Sequence, residues 1–452
     1  MRLSKFNVIQ KYNNGFLVYN TLSTSLVELD EKLFTNIFVQ HDFTSEESRD
    51  LYNMGFLVDD NYDENYFLKE IRQDVLDNSS DKIGNIIIAP TLECNAHCYY
   101  CFENGFRNGT MSIETADYLV DFLTQKWNGE KLGITWFGGE PLLAAEIIDY
   151  ISSSLTKRNI VFGTKVTTNG SLLNEQIIDK MKNAWCVEKV QITIDAIGDE
   201  YNKIKNYLNF KNPFECVMEN IGSLLTASIP VKIRINFNPE KQEKVLETMN
   251  YLTQRFGNNS FLKIYFAPID AESNMVKNVA EKFNEYDEHP YISLIKFGRK
   301  NKLYRGFPDT EEEICSYGDE NGLLKKLKIY PSTINCYATC PNVLSIGPDG
   351  GIYKCHRVLG RKEYSSGNVI EGIIENEAYK FFCNTKLTYE ECENCKVLPI
   401  CQGGCKVNAR LYSGKEACAP CKSIIEDLIL LYKEDLDNFY CRKHSGNMSR
   451  TI

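Results

Sequence analysis

The sequence predicts an α/β protein whose centre is a partial (β/α)6 barrel, with a small winged-helix-like unit before it and a cysteine-rich region after it. Three observations lead to this prediction. Apolar strands alternate with helical stretches through the middle of the chain, which is typical of a parallel sheet. The first 80 residues show short strands and helices separated by turns. Residues 336–421 are rich in cysteine and poor in long periodic segments, which is typical of a region held by metal.

The N-terminal unit is expected to cover residues 1–80. Asn13-Asn14-Gly15 between two apolar runs predicts a hairpin turn. Thr44-Ser45-Glu46-Glu47 has the pattern of a capping box and predicts a helix start. The expected elements are strands at 6–10 and 16–20, helices at 28–38 and from 45, a strand at 55–60 and a linker marked by the polar runs at 61–66 and 77–82.

The barrel is expected to cover residues 81–300. Its predicted strands lie at 85–90, 133–137, 161–168, 187–195, 231–237 and 262–267, and its predicted helices at 112–127, 174–183, 214–227 and 240–256. A full eight-unit barrel takes about 250 residues, so six units in a shorter stretch predict an incomplete one. The remaining expected bounds are 301–335 for a bridging region, 336–430 for the cysteine-rich region with a helix at 422–440, and 431–452 for a tail.

The composition excludes several classes of protein. A chain of 452 residues is expected to form two or three domains. A net charge of −10 disfavours a nucleic-acid partner, and no apolar stretch reaches the ~18 residues of a membrane span. The N-terminus lacks the apolar segment of a secretion signal, so a cytoplasmic protein without a membrane partner is expected. Seventeen cysteines in that compartment indicate metal-bound thiolates rather than disulfides.

The first motif with chemical meaning is a cysteine loop directly after the first barrel strand. Cys94, Cys98 and Cys101, here called the loop thiols, follow the spacing C-x3-C-x2-C at the end of the barrel where catalytic groups lie. Three thiolates on one loop can hold three corners of an iron–sulfur cubane and leave the fourth iron open. The alternative is structural zinc, which needs four ligands and would have to use His97.

This loop resembles the signature of the radical S-adenosylmethionine (SAM) superfamily, including Asn95 after the first cysteine and Tyr100 before the last. The resemblance implies a radical SAM barrel in which a [4Fe–4S] cluster on the catalytic loop thiols binds SAM through its open iron. An electron then cleaves the sulfonium and yields a 5′-deoxyadenosyl radical. The cofactor carries this chemistry, and the protein orients it.

Other stretches fit the same resemblance in chain order. Gly138-Gly139-Glu140 ends the second strand and matches the motif that meets the methionine amino group, while Thr168-Asn169 ends the third. The alternatives are a helix cap for Asp195 and a surface ion pair for Arg234. The implied SAM-binding residues are Tyr100, Gly138, Gly139, Glu140, Thr168, Asn169, Asp195, Arg234 and Asn236.

The C-terminal cysteines form a second pattern, C-x3-C-x9-G-x4-C, then C-x2-C-x5-C-x3-C, then C-x2-C. It resembles the SPASM extension of peptide-modifying radical SAM enzymes and implies two auxiliary [4Fe–4S] clusters, three clusters in all. The implied ligands of the first, here the near thiol group, are Cys336, Cys340, Cys355 and Cys405. Those of the second, the far thiol group, are Cys392, Cys395, Cys401 and Cys421.

Several cysteine assignments stay open at this point. Cys418 is the alternative to Cys421, and the ligand at Cys336 varies among relatives. A zinc ribbon on the two C-x2-C pairs is possible, but it leaves Cys401 and Cys405 without a role. The cysteines outside the clusters are expected to be mostly buried thiols, namely Cys186, Cys216, Cys315, Cys383, Cys418 and Cys441.

The N-terminal unit resembles the leader-recognition domain of ribosomal-peptide maturases, which implies a precursor peptide captured through its leader as an added strand. The alternative is a cap without a binding role. His356 stands where sulfatase maturases carry a catalytic acid, which argues against that activity. The expected reaction forms a thioether crosslink from cysteine to a peptide carbon. The expected electron donor is a flavodoxin or ferredoxin. Carbon–carbon crosslinking, epimerisation, a small-molecule radical enzyme and a non-enzymatic zinc scaffold are the alternatives.

Overall fold

The computed structural model describes residues 1–77, 82–103, 105, 109–208, 210–237, 242–257, 259–268, 292–296, 331, 336–384, 390–411, 418 and 421–446. The N-terminal elements are β1 (Arg2–Leu3), β2 (Asn7–Tyr12), β3 (Gly15–Asn20), β4 (Leu26–Asp30), α1 (Glu31–Phe34), α2 (Glu46–Asn53), β5 (Leu57–Val58) and α3 (Glu64–Asp77). Strands β2, β3 and β4 form an antiparallel sheet, and β1 pairs with β5. The predicted hairpin is present: Tyr12 opposes Gly15, and Asn13 takes the left-handed conformation, with φ 49°.

Two N-terminal predictions need correction. The expected helix over 28–38 is present, but it begins only at Glu31, because the preceding residues pair with β3 and Asp30 caps the helix, and it continues as a π-helical turn over Thr35–Val39. The polar run 61–66, expected to be linker, contains the start of helix α3, and most of the second expected linker run, 77–82, lies outside the described residues. The first residue of α3, Glu64, is buried and accepts hydrogen bonds from Arg2, at 2.7 Å, and Ser4, so the helix start is fixed against β1.

The barrel follows the predicted order of strands. Its elements are β6 (Asn85–Thr91), α4 (Ile113–Lys126), β7 (Leu132–Gly138), α5 (Ala145–Lys157), β8 (Phe162–Thr168), α6 (Glu175–Asn183), β9 (Val187–Thr193), α7 (Gly198–Lys205), α8 (Pro213–Thr226), β10 (Val231–Phe237), α9 (Gln242–Phe256) and β11 (Leu262–Pro268). All six strands pair in parallel with their neighbours in sequence. The α/β fold class is therefore confirmed. Helices α5 and α7 escape prediction because one contains three consecutive serines and the other is short.

The cysteine-rich region extends the sheet of the barrel. Its elements are β12 (Val343–Ile346), β13 (Gly351–Tyr353), β14 (Ser365–Asn368), β15 (Gly372–Ile373), α10 (Glu377–Phe382), α11 (Leu398–Cys401), α12 (Lys406–Leu411) and α13 (Cys421–Gly446). Strand β12 pairs in parallel with β6, and the other three follow as an antiparallel meander, giving a sheet of ten strands. Of the expected bridging region 301–335, only residue 331 is described.

The last helix joins the two ends of the chain. Helix α13 includes the predicted helix at 422–440 and packs on the N-terminal hairpin, where the rings of Tyr432 and Tyr19 meet edge to face at 6.2 Å between centroids. Ile425 and Leu428 lie in the same apolar core as Leu17. None of the helices within the described ranges is long and apolar enough to cross a bilayer.

Candidate active site

The loop thiols follow β6 at the carboxyl end of the barrel strands. All three are partly exposed, and none forms a disulfide. The loop is held by the end of α7 and the segment that follows it: the N–H of His97 donates to the carbonyl of Lys205 at 2.8 Å, and the N–H of Leu208 donates to that of Asn95 at 3.0 Å. The side chain of His97 is exposed. This position disfavours the zinc alternative, which requires that side chain to fold inward.

The glycines after β7 let two loops touch through their backbones. Gly138 has φ 107°, and a Cβ atom there would stand 2.1 Å from the carbonyl oxygen of Thr91. A Cβ at Gly139 would stand 2.3 Å from the carbonyl oxygen of Glu93, one residue before Cys94. Both distances are shorter than any real contact, so only glycine permits this approach. The Gly138-Gly139 motif therefore lies directly against the start of the cysteine loop.

Glu140 joins the ends of β7 and β8. Its carboxylate accepts hydrogen bonds from the hydroxyl of Thr168 at 2.7 Å, the N–H of Asn169 at 2.7 Å and the N–H of Leu142 at 3.1 Å. The side chain is fully buried, and burial raises its pKa to about 7, although the three hydrogen bonds act in the opposite direction. Near neutral pH this carboxyl group is thus poised to gain a charge when a cation arrives.

Two asparagines connect β8 to the cysteine loop. The side-chain amide of Asn169 donates to Asn95 at 2.8 Å and lies 4.0 Å from the sulfur of Cys94. Asn95 in turn donates to the hydroxyl of Ser171 at 2.9 Å. The resemblance pointed to Asn169, whereas Ser171 carries no motif signal. The amides fix the loop geometry around the first cysteine.

A buried charged network closes the opposite side of the loop. The ammonium of Lys205 lies 2.9 Å from the carboxylate of Asp195 and 2.8 Å from the hydroxyl of Tyr100, which donates to Asp195. Burial opposes the charge of Lys205, but Asp195 and Tyr100 raise its pKa well above the usual range. Asp195 also accepts from the N–H of Asn236 at 3.0 Å, and Arg234 donates to the side chain of Asn236 at 2.7 Å. Asp195 therefore belongs to this buried hydrogen-bonded network and does not cap a helix.

Sequence reasoning missed Lys205. Its side chain is 3% exposed, and the interaction of its charge with Cys98 places it beside the loop thiols. It is the last residue of an amphipathic helix that also contains Lys203, so its type and position give no sign of burial. Lys205 differs from an ordinary surface lysine only because α7 packs against the cysteine loop in the folded protein.

The structure brings the cysteines of the near thiol group close to one another. Burial raises the pKa of Cys355 to about 12, and the charges of Cys336 and Cys405 act in the same direction, so the three thiols are neighbours. Cys340 interacts with Cys336 in the same way. Arg357 reaches the sulfur of Cys405 at 3.5 Å. These contacts join the start of the cysteine-rich region to helix α12.

A fifth thiol, Cys383, adjoins the near thiol group. Burial raises its pKa, while Lys354 lowers it and Cys340 raises it further. Lys354 is fully buried and donates to the carbonyls of Cys340 at 2.6 Å and Val343 at 2.8 Å. The expectation that the cysteines outside the clusters are mostly buried was wrong for the four that are described: Cys186 is exposed, and Cys216, Cys383 and Cys418 are only partly buried.

The far thiol group is described only in part, because the side chain of Cys421 lies outside the described residues. Burial opposes the charge of Lys422, but Cys418, Cys395 and Cys392 each raise its pKa, with Cys418 at 3.5 Å from its ammonium. The structure therefore places the alternative ligand, Cys418, beside this group. Among the described residues, no three Cys, His, Asp or Glu side chains stand at the spacing of a single metal ion.

His356 lies between the barrel and the near thiol group. It is half-buried, and its ring contacts Phe137 of β7 at 4.7 Å between centroids and Tyr337 at 5.9 Å. The hydroxyl of Tyr337 bonds Nδ1 of His356 and lies 3.9 Å from the sulfur of Cys355. Burial, together with Arg357 and Arg234, lowers the pKa of His356 to about 4. The histidine is therefore neutral at physiological pH.

Comparison with known proteins agrees with this geometry. Residues 88–252, which span β6 to α9 and contain the loop thiols, match the Radical SAM superfamily. The chain is an enzyme with a radical SAM domain. It is 23% identical over 495 aligned residues to the radical SAM cyclopropyl synthase TigE of Paramaledivibacter caminithermalis, covering 96% of this chain and 98% of the relative.

Two solved structures share the fold of this radical SAM enzyme. Streptococcus suis SuiB bound to precursor peptide SuiA has a TM-score of 0.52 at 14% identity, covering 92% of this chain and 98% of that one. The structure of anSMEcpe with bound AdoMet has a TM-score of 0.57 at 20% identity, covering 79% and 97%.

The site fits the cofactors of the superfamily, SAM and one [4Fe–4S] cluster. The loop offers three partly exposed thiols and no fourth, which suits a cluster with an open iron. The backbone cradle at Gly138 and Gly139 lies directly against the start of the cysteine loop, a close approach that any side chain would prevent. When bound, the cluster and SAM supply a reductively formed 5′-deoxyadenosyl radical. The chain itself binds, orients and shields these groups.

Proposed function

We propose that this radical SAM enzyme modifies a ribosomally made precursor peptide. The observation that carries the proposal is the continuity of three parts: β12 pairs with β6, so the cysteine-rich region extends the barrel, and the N-terminal unit packs on that region through Phe6, Leu68 and Leu398. A small sheet-bearing unit fixed to the radical-forming body is suited to hold one end of a long substrate. The proposed domains keep the bounds expected from the sequence, which are 1–80 for the N-terminal unit, 81–300 for the barrel, 301–335 for the bridging region, 336–430 for the cysteine-rich region and 431–452 for the tail.

The proposed roles in the site follow its contacts. The loop thiols hold the SAM-binding cluster, and Glu140 accepts from the cationic amino group of the methionine moiety at the Gly138-Gly139 cradle. Thr168 and Asn169 hold Glu140 in place through hydrogen bonds of 2.7 Å. The nucleoside part of SAM is proposed to contact Tyr100, Asp195, Arg234 and Asn236.

The C-terminal thiols are proposed to hold two auxiliary [4Fe–4S] clusters. Mutual interactions among Cys336, Cys355 and Cys405 support the near one. For the far one, Cys392, Cys395 and Cys401 are retained, and the fourth ligand is Cys421 or Cys418. A low-potential flavodoxin or ferredoxin in the cytoplasm is the proposed electron donor.

The proposed product is a new bond within the peptide, with a thioether from cysteine to carbon as the first candidate. A carbon–carbon bond is the second, favoured by the relative named a cyclopropyl synthase, which aligns along nearly the whole chain. Both products lack two hydrogen atoms relative to the substrate. Only the thioether loses a free thiol, so mass spectrometry after thiol alkylation distinguishes them, and epimerisation would leave the mass unchanged.

The radical chemistry is tested with anaerobically reconstituted enzyme, SAM and a strong reductant, measuring 5′-deoxyadenosine by chromatography. Replacement of Cys94, Cys98 and Cys101 by Ala should abolish release, whereas Cys216→Ala on α8 should not. Release from the triple variant would refute the site.

The peptide assignment is tested with a precursor peptide encoded beside the gene, supplied whole or without its leader. Modification of the whole peptide alone supports leader capture. Equal turnover of both forms would contradict it.

A further inference from the structure

The N-terminal unit covers part of the far thiol group. Phe6 and Leu68 pack against Leu398, with Cys392 and Cys395 at the edge of the same apolar cluster. Hydrogen bonds surround this contact, from Lys5 to the carbonyl of Glu393 at 2.7 Å, from Asn65 to the same carbonyl at 3.0 Å and from Thr21 to that of Lys396 at 2.5 Å. The interface therefore combines an apolar centre with a polar rim, and it reaches the cysteines themselves.

Arg72 on helix α3 is a charged residue within this interface. Its Nε donates to the side-chain oxygen of Gln402, the residue after Cys401, at 2.9 Å. Gln402 is fixed in turn, because it takes a left-handed conformation and its amide donates to the carbonyl of Pro399 at 2.9 Å. The guanidinium is thus held at a defined place beside the cysteine-bearing helix α11.

The second arm of this guanidinium lacks a partner among the described residues. Nη2 of Arg72 is buried and makes no hydrogen bond with any described residue. Burial lowers the pKa of the guanidinium, while the charges of Cys392 and Cys401 act in the opposite direction. A buried, unsatisfied donor on a permanent cation is costly, so such groups normally face an anion. The groups whose negative charge, when they are ionised, acts on this guanidinium are Cys392 and Cys401 of the far group.

We propose that Arg72 donates through Nη2 to a sulfur of the iron–sulfur cluster held by Cys392, Cys395 and Cys401, and that it raises the reduction potential of that cluster. The inference rests on the proposed assignment of these cysteines to a cluster. One-electron reduction adds a negative charge to the cluster, and a fixed cation in a low-dielectric interface favours the more negative state. The N-terminal unit thereby contributes directly to a redox centre in the C-terminal region.

The test uses the full-length chain, reconstituted anaerobically with iron and sulfide, in which Ala replaces the loop thiols. Titration with dithionite, followed by electron paramagnetic resonance, reports the potentials of the remaining clusters. Arg72→Met should move one potential to more negative values, and Arg72→Lys should restore most of the shift. The matched control is Lys69→Met, one helical turn away, where the ammonium lies 4.0 Å from the carboxylate of Glu393.

Iron content separates the possible failures. Loss of iron from Arg72→Met alone, with the circular dichroism of the parent, also supports the proposal, because the guanidinium is then needed to hold the cluster. Full iron content with unchanged potentials would overturn the inference and leave the cluster assignment intact. If the parent lacking the loop thiols holds no iron–sulfur cluster, the proposed assignment fails, and the inference fails with it.

Discussion

The loop thiols and the C-terminal thiols are surrounded by different charges. Around the loop, the buried cation Lys205 is already paired with Asp195, and a second acid, Glu140, is buried beneath the adjacent cradle. Around the C-terminal thiols lie five cationic side chains, namely Lys354, Lys406 and Arg357 at the near group and Arg72 and Lys422 at the far group.

This difference agrees with the ligands that each region is proposed to hold. A SAM-binding site receives a cation with its substrate, so acids complete its charge balance. A cluster with four thiolates receives no such ligand, and the protein must supply the positive charges itself, since uncompensated buried charge is costly. The charge around a cysteine group thus helps distinguish an open site from a closed one.

The largest expected effect on stability comes from breaking the charge pair at the loop. Lys205→Met leaves the carboxylate of Asp195 buried without its cation, and we expect a loss of about 3–5 kcal/mol in the free energy of unfolding. Urea denaturation measures it. Lys203→Met, on the exposed side of the same helix, should change little. A second substitution, Asp195→Asn, should recover part of the loss; additive effects would contradict the pairing.

A smaller effect is expected at the near thiol group. Lys354→Met removes the donor to three backbone carbonyls, those of Cys340, Pro341 and Val343, and should cost about 1–3 kcal/mol in unfolding free energy. It should also reduce the iron bound per chain. The matched control is the exposed Lys380→Met on α10. Unchanged stability and iron content would argue that cations do not support this group.

The smallest effect concerns pH. Because burial raises the pKa of Glu140 to about 7, its carboxylate is lost as pH falls through 7, and SAM affinity should fall roughly tenfold per pH unit below that value. Isothermal titration between pH 6 and 8 measures this, with the exposed Glu146→Gln as control. Glu140→Gln should bind weakly at every pH, and a pH slope that survives this change would contradict the assignment.

Protonation of Glu140 weakens SAM binding, but it stabilises the fold of the empty protein. Its folded pKa, about 7, lies above the ordinary value of 4.5, so the folded state takes up a proton more readily than the unfolded chain. The contribution of Glu140 to stability therefore falls as pH rises from about 4.5 to 7. Protonation favours the empty protein, whereas the carboxylate favours the bound ligand.

The sequence predicted the barrel well because its strands are continuous apolar runs and its motifs follow those strands. The structure brings Glu140, Thr168 and Asn169 together as the motif order implied. Contacts between distant segments were not predictable. Neither the pairing of β12 with β6 nor the burial of Lys205 has a local signal, since a four-residue strand and a single lysine look ordinary in sequence.

In the N-terminal unit, too, contacts between distant segments could not be predicted from the sequence. Helix α3 begins in a run of polar residues that is typical of a linker, and it forms because Glu64 and Leu68 are buried by partners far away in the chain. Arg72 could not be singled out for the same reason. Its position matters only because Gln402 and two cysteines lie opposite.

The packing of α13 on the first hairpin has a consequence for synthesis. Val8, Leu17 and Tyr19 leave the ribosome long before Ile425 and Leu428, which belong to the same apolar cluster. A growing chain must therefore keep an uncovered apolar face until α13 has been made. A stop codon before α13 would accordingly harm the beginning of the protein rather than only its end.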